Sequence, residues 1–272
     1  MTERTKKSPA SPIEASIVVP TFREVGNIEQ LTKRVYAALQ ENQMEKTTEI
    51  IIVDDNSRDG TEELVNKLAG EGFPVRVIVR TTERGLSSAV LRGFNEAQGE
   101  LLLCMDADLQ HPPEKVPEML QAIDTAKTGA EFAIGTRYAA DEFVVDENWP
   151  LYRQVVSKGA RLMARPLTPL SDPMTGFFSI RREAYTRARN VNSIGFKICL
   201  ELYVKAEIRK HAEVPIMFGV RTVGESKLSG KVIINYLKQL QELYIYKYPI
   251  LSVAILFTVI FVFIYTVSFA FI

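Results

Sequence analysis

The stretch LLLCMDADLQHPP, residues 101–113, is an unbroken apolar run that ends in Asp106 and Asp108, with Gln110, His111 and two prolines beyond them. A short continuous apolar run bounded by turn residues is the pattern of a strand buried on both faces. The two carboxylates then stand at the carboxyl end of that strand, the edge where open α/β sheets gather their ligands. Carboxylates at i and i+2 converge on one hard cation where the chain bends, and Ala107 between them leaves room. Such a pair suits Mg²⁺ or Mn²⁺ held together with a diphosphate. An acidic loop capping the next helix would carry the same letters, so the rest of the chain has to decide.

Working outward, residues 15–20 (ASIVVP), 49–53 (EIIIV), 75–79 and 131–134 repeat the short apolar pattern. Between them lie segments of helical period. Ile28, Leu31, Val35 and Leu39 share one face, and 61–69, 86–97 and 113–127 are predicted helices. Strands alternating with helices predict an α/β fold, a mostly parallel sheet flanked by helices on both faces. Beyond Gly135 the alternation loosens. Residues 139–150 are acidic at both ends and without period, and read as a mobile loop. Helices are predicted over 151–164, 196–210 and 229–247, and strands over 177–180 and 214–220.

Composition narrows the function. The chain has 272 residues with 33 basic and 33 acidic side chains, so no net field favours nucleic acid. Cys104 and Cys199 have no metal-ligand spacing and read as reduced, buried thiols, and two histidines are too few for a histidine-based metal site. Residues 1–14 form a polar tail without a secretory signal. At the other end no charged residue follows Lys247, and 248–272 is almost wholly apolar. About 20 such residues span the hydrocarbon core as a helix, so a single C-terminal membrane anchor is expected. The stripe Val232, Ile233, Tyr236, Leu237, Leu240 and Tyr244 makes 229–247 an amphipathic helix expected to lie on the bilayer surface. Lys238 and Lys247 precede the span, which orients the domain of residues 15–228 toward the cytosol.

Three polar clusters follow successive strands: Pro20 to Glu24, Asp54-Asp55, and Asp106 to Asp108. Loops at the carboxyl ends of neighbouring parallel strands share one sheet edge and can meet. Glu24 and Asp55 would suit hydrogen bonds to a base or ribose, with Phe22 packed on a base face. The chain has neither G-x-G-x-x-G nor G-x-x-x-x-G-K-[ST], so no glycine cradle holds the phosphates and a metal would neutralise them instead. Arg137, just past the fifth predicted strand, could clamp phosphate. Arg221 and Lys227 flank a turn of small residues, and Arg153 and Ser157, four apart, share a helix face. Each of these is equally well read as solvated surface. His111 reads as a satisfied turn histidine, and Phe177-Phe178 as packing.

Taken together, VVPTFREVGNI, IIVDDNSRDGT, MDADLQHPPE, GTRY, DPMTGFF, GFK and GVRTVGESKLSGK resemble the inverting glycosyltransferases that modify polyprenyl phosphates, over residues 16–247. The resemblance implies a GT-A-like, Rossmann-related catalytic domain. It implies mannose transfer from GDP-mannose to dolichyl phosphate on the cytosolic face of the endoplasmic reticulum, feeding protein glycosylation and GPI-anchor assembly. On the matching motifs, Pro20, Phe22, Glu24, Val53 and Asp55 are implied to hold the guanosine, and Asp106, Ala107 and Asp108 the metal and diphosphate. Gln110 is implied as a further metal ligand; Arg137, Arg221 and Lys227 as phosphate ligands; and Arg137, Arg153 and Ser157 as the acceptor-phosphate site. Phe22-Arg23 stands where Tyr-Asn is common, which shifts base recognition toward packing. Two rivals stand beside this reading: the same chemistry with UDP-glucose as donor, and a membrane-anchored binding subunit without activity.

Overall fold

The computed structural model describes residues 12–124, 128–139, 142–143, 151–192, 197–219 and 230–252. In chain order the first half runs β1 Ala15–Thr21, α1 Val25–Glu41, β2 Thr48–Asp54, α2 Thr61–Gly70, β3 Val75–Val79, α3 Leu86–Glu96 and β4 Leu101–Cys104. A 3₁₀ turn over Pro113–Lys115 leads into α4 Val116–Gln121, followed by β5 Phe132–Thr136 and the short strands β6 Tyr138–Ala139 and β7 Glu142–Phe143. The remainder is α5 Leu151–Ala164, β8 Phe178–Arg181, α6 Arg182–Arg187, α7 Ile198–Lys205, β9 His211–Pro215 and α8 Gly230–Lys247.

Seven strands form one sheet in the order β3-β2-β1-β4-β8-β5-β9, and β6 pairs with β7 apart from it. β1 runs parallel to β2 and β4, and β5 parallel to β9, while β8 is antiparallel to both β4 and β5. Every residue of β1 and β2 is buried, as unbroken apolar runs require of central strands. Alternation along β1 divides the core. Ile17 and Val19 pack with Ile28, Leu31, Val35 and Leu39 of α1 and with α2 and α4, while Val18 packs with Val90 and Phe94 of α3 on the opposite face. Gly93 lets α3 lie this close, since a Cβ there would sit 2.3 Å from a Val18 methyl. The α/β class, the mostly parallel sheet and the two helical layers are as the periodicity predicts.

Several boundaries differ. The helix predicted over 113–127 is a 3₁₀ turn and six α-helical residues, with Pro113 and Pro117 at the starts of the two segments. The strand predicted over 214–220 lies earlier, at His211–Pro215, paired from Phe132↔His211 to Thr136↔Pro215. The helix predicted over 196–210 is only eight residues long, and every one of them is buried. Its surroundings explain this. Cys199, Leu202 and Tyr203 face the sheet, while Leu200 and Val204 face Tyr236, Leu240 and Leu243 of α8. The stretch expected as a loop over 139–150 begins with the β6–β7 hairpin, and its remaining residues lie outside those described. Among the described residues no helix is long and apolar enough to cross a membrane, and 253–272, most of the expected anchor, lies outside them.

Candidate active site

The carboxyl ends of β1, β2 and β4 open onto one cavity of about 530 Å³, lined from these strands by Pro20, Thr21, Phe22, Glu24, Asp55, Asp106, Ala107 and Asp108. Arg84, Gly85, Leu86 and Ala89 close it from the β3–α3 side, and Met174, Gly176, Lys197 and Val232 from the opposite side. The three clusters expected to meet do meet.

At the β1–β2 end, Phe22 has the guanidinium of Arg23 5.2 Å and that of Arg84 5.9 Å from its ring centroid. Arg23 takes a left-handed φ of 61°, and its N–H donates to Ser57 Oγ at 2.8 Å. Glu24 Oε2 accepts from Asn27 Nδ2 at 2.8 Å. Asp55 Oδ1 is paired with the buried Arg80 guanidinium, whose Nε lies at 2.7 Å, and Oδ2 accepts the Gly85 N–H at 2.8 Å. Asp55 thereby fixes the loop opposite Phe22 while lining the cavity. Asp54 closes the turn after β2, accepting from the N–H and the hydroxyl of Ser57. Val53 is placed differently from its expected role. Its side chain is fully buried among Val18, Ala89 and Phe94, beneath α3, and does not line the cavity.

At the end of β4, the Asp106 N–H donates to His111 Nδ1 at 3.2 Å. His111 is buried and stacked on Phe177 at 5.3 Å, the satisfied histidine that was expected. Asp108 Oδ1 accepts the Gln110 N–H at 3.2 Å, and Gln110 Nε2 donates to Gly219 O at 3.0 Å. The amide nitrogen of Gln110 is therefore turned to Gly219, and Gln110 does not line the cavity. Facing Asp106 is Gly176, where a Cβ would lie 2.7 Å from Asp106 Oδ2. The missing side chain leaves the carboxylate room.

A divalent cation fits this donor set. Two hard carboxylates line the same cavity, and Asp106 is 34% exposed at its side chain. Among the described residues no group of three or more His, Cys, Asp or Glu could hold a metal, so this pair would share its ion with ligand oxygens.

The basic residues separate. Arg137 is buried in a bidentate pair with Asp172, Nε to Oδ2 at 2.6 Å and Nη2 to Oδ1 at 2.8 Å, and does not line the cavity. Arg153 and Ser157 both belong to α5; Ser157 is half-buried and is not among the cavity-lining residues. Arg221 and Lys227 lie outside the described residues. Lys197, given no role from the sequence although GFK was noted, does line the cavity. Burial lowers its pKa, as does the nearby Arg137 charge, while Asp106 and Asp172 oppose the shift. Cys104 and Cys199 are buried and unbridged, and burial pushes both thiols well above the ordinary range, which keeps them inert.

A GT-A-like sheet with paired carboxylates at the end of its fourth strand defines a class of nucleotide-dependent transferases. The chain belongs to glycosyl transferase family 2, whose family model matches residues 16–188. It is 53% identical over 243 residues to a dolichol-phosphate mannosyltransferase of Saccharomyces cerevisiae, covering 87% of this chain and 89% of the relative. It is 49% identical over 267 residues to the dolichol-phosphate mannosyltransferase of Mycosarcoma maydis, covering 95% and 90%. Among solved structures, glucosyl-3-phosphoglycerate synthase of Mycobacterium tuberculosis, crystallised with Mn²⁺, UDP and glucosyl-3-phosphoglycerate, superposes with a TM-score of 0.60 at 19% identity, over 86% of this chain and 80% of that one. At that identity the likeness is one of fold.

Proposed function

We propose that this chain transfers mannose from GDP-mannose to dolichyl phosphate by a single inverting displacement. The observation that carries the reading is the 53% identity to a dolichol-phosphate mannosyltransferase along 87% of the chain. The cavity is consistent with it. Phe22, Glu24 and Asp55 would take the nucleoside, and Asp106 with Asp108 would hold a divalent ion beside the diphosphate. Mg²⁺ or Mn²⁺ bound there would neutralise charge building on the leaving nucleoside diphosphate. An oxygen of the acceptor phosphate attacks C1 of mannose from the face opposite the diphosphate. The C1–O bond breaks, and its electron pair leaves with GDP. A phosphate monoester is largely ionised near neutral pH, its second pKa being about 6, so no protein base has to remove a proton. That agrees with His111 Nδ1 being engaged by the Asp106 N–H. Catalysis then rests on alignment and on the cations around the phosphates, in which Arg221 and Lys227 are expected to share.

The proposal extends to place. Residues 248–272 would anchor the chain in the endoplasmic reticulum membrane, with the catalytic domain on the cytosolic side. Exposed apolar side chains on α5 (Val155, Leu162) and α8 (Ile234, Ile245) support an approach to lipid. The test is incubation of the full chain with each GDP- and UDP-sugar and dolichyl phosphate, with Mg²⁺, with Mn²⁺ and with chelator. Mannosyl transfer from GDP-mannose alone, lost on chelation, is expected. Transfer from UDP-glucose instead would overturn the donor, and transfer from none would overturn the activity.

A further inference from the structure

Among the described residues, two cationic side chains line the cavity, Arg84 and Lys197. Arg84 lies beside Phe22, at the nucleoside end. Lys197 lies at the other end. The sheet runs β2, β1, β4, β8 across the site, with Asp55, Phe22 and Asp106 at the ends of the first three. Gly176 precedes β8, Lys197 precedes α7, and Val232 reaches in from α8. A donor laid with its base on Phe22 and its diphosphate at Asp106 and Asp108 directs its sugar toward Gly176 and Lys197. That end is also closed by α8, which presents exposed Ile233, Ile234 and Leu237 and from whose side a lipid-borne group would arrive.

We propose that Lys197 binds the phosphate of the lipid acceptor at the transfer end of the cavity. The assignment rests on the function proposed above and adds a residue to it. A phosphate monoester brings about two negative charges near pH 7 into a cavity that already holds Asp106 and Asp108. A divalent ion on the two carboxylates balances them, and a phosphate arriving at the opposite end of the cavity calls for a cation beside it. Of the two cations expected there, Arg137 is paired with Asp172 and Arg153 belongs to α5. Lys197 Nζ donates to Met174 O at 3.1 Å, which uses one of an ammonium's three N–H donors. The charges that act on it are Arg137, Asp106, Asp172 and, on its own helix, Cys199. Burial and Arg137 weaken its hold on a proton in the absence of ligand, and an arriving phosphate reverses that. A lysine suits this task as a compact charge that follows a phosphate through attack.

The experiment uses the full chain in phosphatidylcholine vesicles, with GDP-mannose and dolichyl phosphate varied separately. Lys197→Met is expected to raise the acceptor KM about 10- to 100-fold, the effect of losing a charged hydrogen bond. Its donor KM and its affinity for GDP, read by calorimetry, should stay near wild type. Lys197→Arg should recover most of the acceptor affinity. Lys197→Gln repeats the measurement should Lys197→Met melt early. An unchanged acceptor KM in both neutral variants overturns the proposal. So does a rise confined to donor KM, or an Arg variant as impaired as the Met variant, which would show shape rather than charge at work. If the wild type transfers no sugar to dolichyl phosphate, the function itself fails and this assignment with it; an unaltered KM against an active wild type removes Lys197 alone.

Discussion

At position 176 the absence of a side chain matters more than any side chain nearby. An added Cβ would stand 2.7 Å from Asp106 Oδ2 and 3.0 Å from Oδ1, so Gly176→Ala must push the carboxylate aside. A displacement of about 1 Å at a reacting centre can lower turnover about 100-fold, and kcat/KM of Gly176→Ala is expected to fall on that scale while its melting temperature holds. An active alanine variant would mean that Asp106 tolerates the shift. Asp108→Ala removes one of the two carboxylates proposed to hold the divalent ion and is expected to abolish turnover at any practical Mg²⁺ or Mn²⁺ concentration, as read by a metal titration. Legibility differed sharply among these residues. Asp106, Asp108, Asp55 and Phe22 end buried strands, and that pattern is local. Val53 belongs to such a strand too, but its inward-facing parity puts its side chain under α3. Lys197 and Gly176 acquire their meaning from loops that precede β8 and α7, and no spacing in the chain brings those loops to Asp106.

Secondary-structure elements divide in the same way. β1 to β4, α2 and α3 follow from period and turn residues, and their predicted limits fall within two residues of those observed, while α1 begins at Val25, three residues before the first of its periodic apolar positions, Ile28. The antiparallel insertion of β8 between β4 and β5 does not, because strand order is a property of the assembled sheet. The complete burial of α7 is equally a tertiary fact. It places Glu201, 1% exposed, where its carboxylate accepts from Lys205 Nζ at 2.8 Å, Gln239 Nε2 at 2.8 Å and the Asn192 N–H at 2.5 Å. This network clamps α8 onto the catalytic domain. Glu201→Leu leaves the Lys205 ammonium buried without its partner and should cost about 3–5 kcal/mol in urea denaturation. Removing both charges in Glu201→Leu/Lys205→Met should recover much of that loss. If the double variant is no more stable than the single, the penalty comes from packing rather than from an orphaned charge. Gln239→Leu breaks one contact to a charged group and should cost less, about 1.5–3 kcal/mol.

The whole molecule carries an asymmetry that the separate elements do not reveal. Its catalytic cavity and its exposed apolar helices meet at α8, where Val232 lines the cavity while Ile233, Ile234 and Leu237 face outward. α5 joins the same assembly, tied to α8 by Tyr236 Oη to Ala160 O and Tyr244 Oη to Met163 O, each at 2.7 Å, and exposes Val155, Val156, Leu162 and Met163. Burying one such side chain in an apolar medium gains about 1.5–3 kcal/mol relative to water, so a few of them suffice for weak, reversible attachment to a bilayer. A chain ending at Tyr248 is therefore expected to co-sediment partly with phosphatidylcholine vesicles, insensitively to salt, and to keep activity on a short-chain polyprenyl phosphate. Replacing Ile233, Ile234 and Leu237 by serine in that shortened chain should abolish co-sedimentation while leaving GDP affinity intact, since none of the three lines the cavity. Should the shortened chain remain wholly in solution before any replacement, the α5–α8 face does not meet lipid, and attachment rests on the C-terminal segment alone.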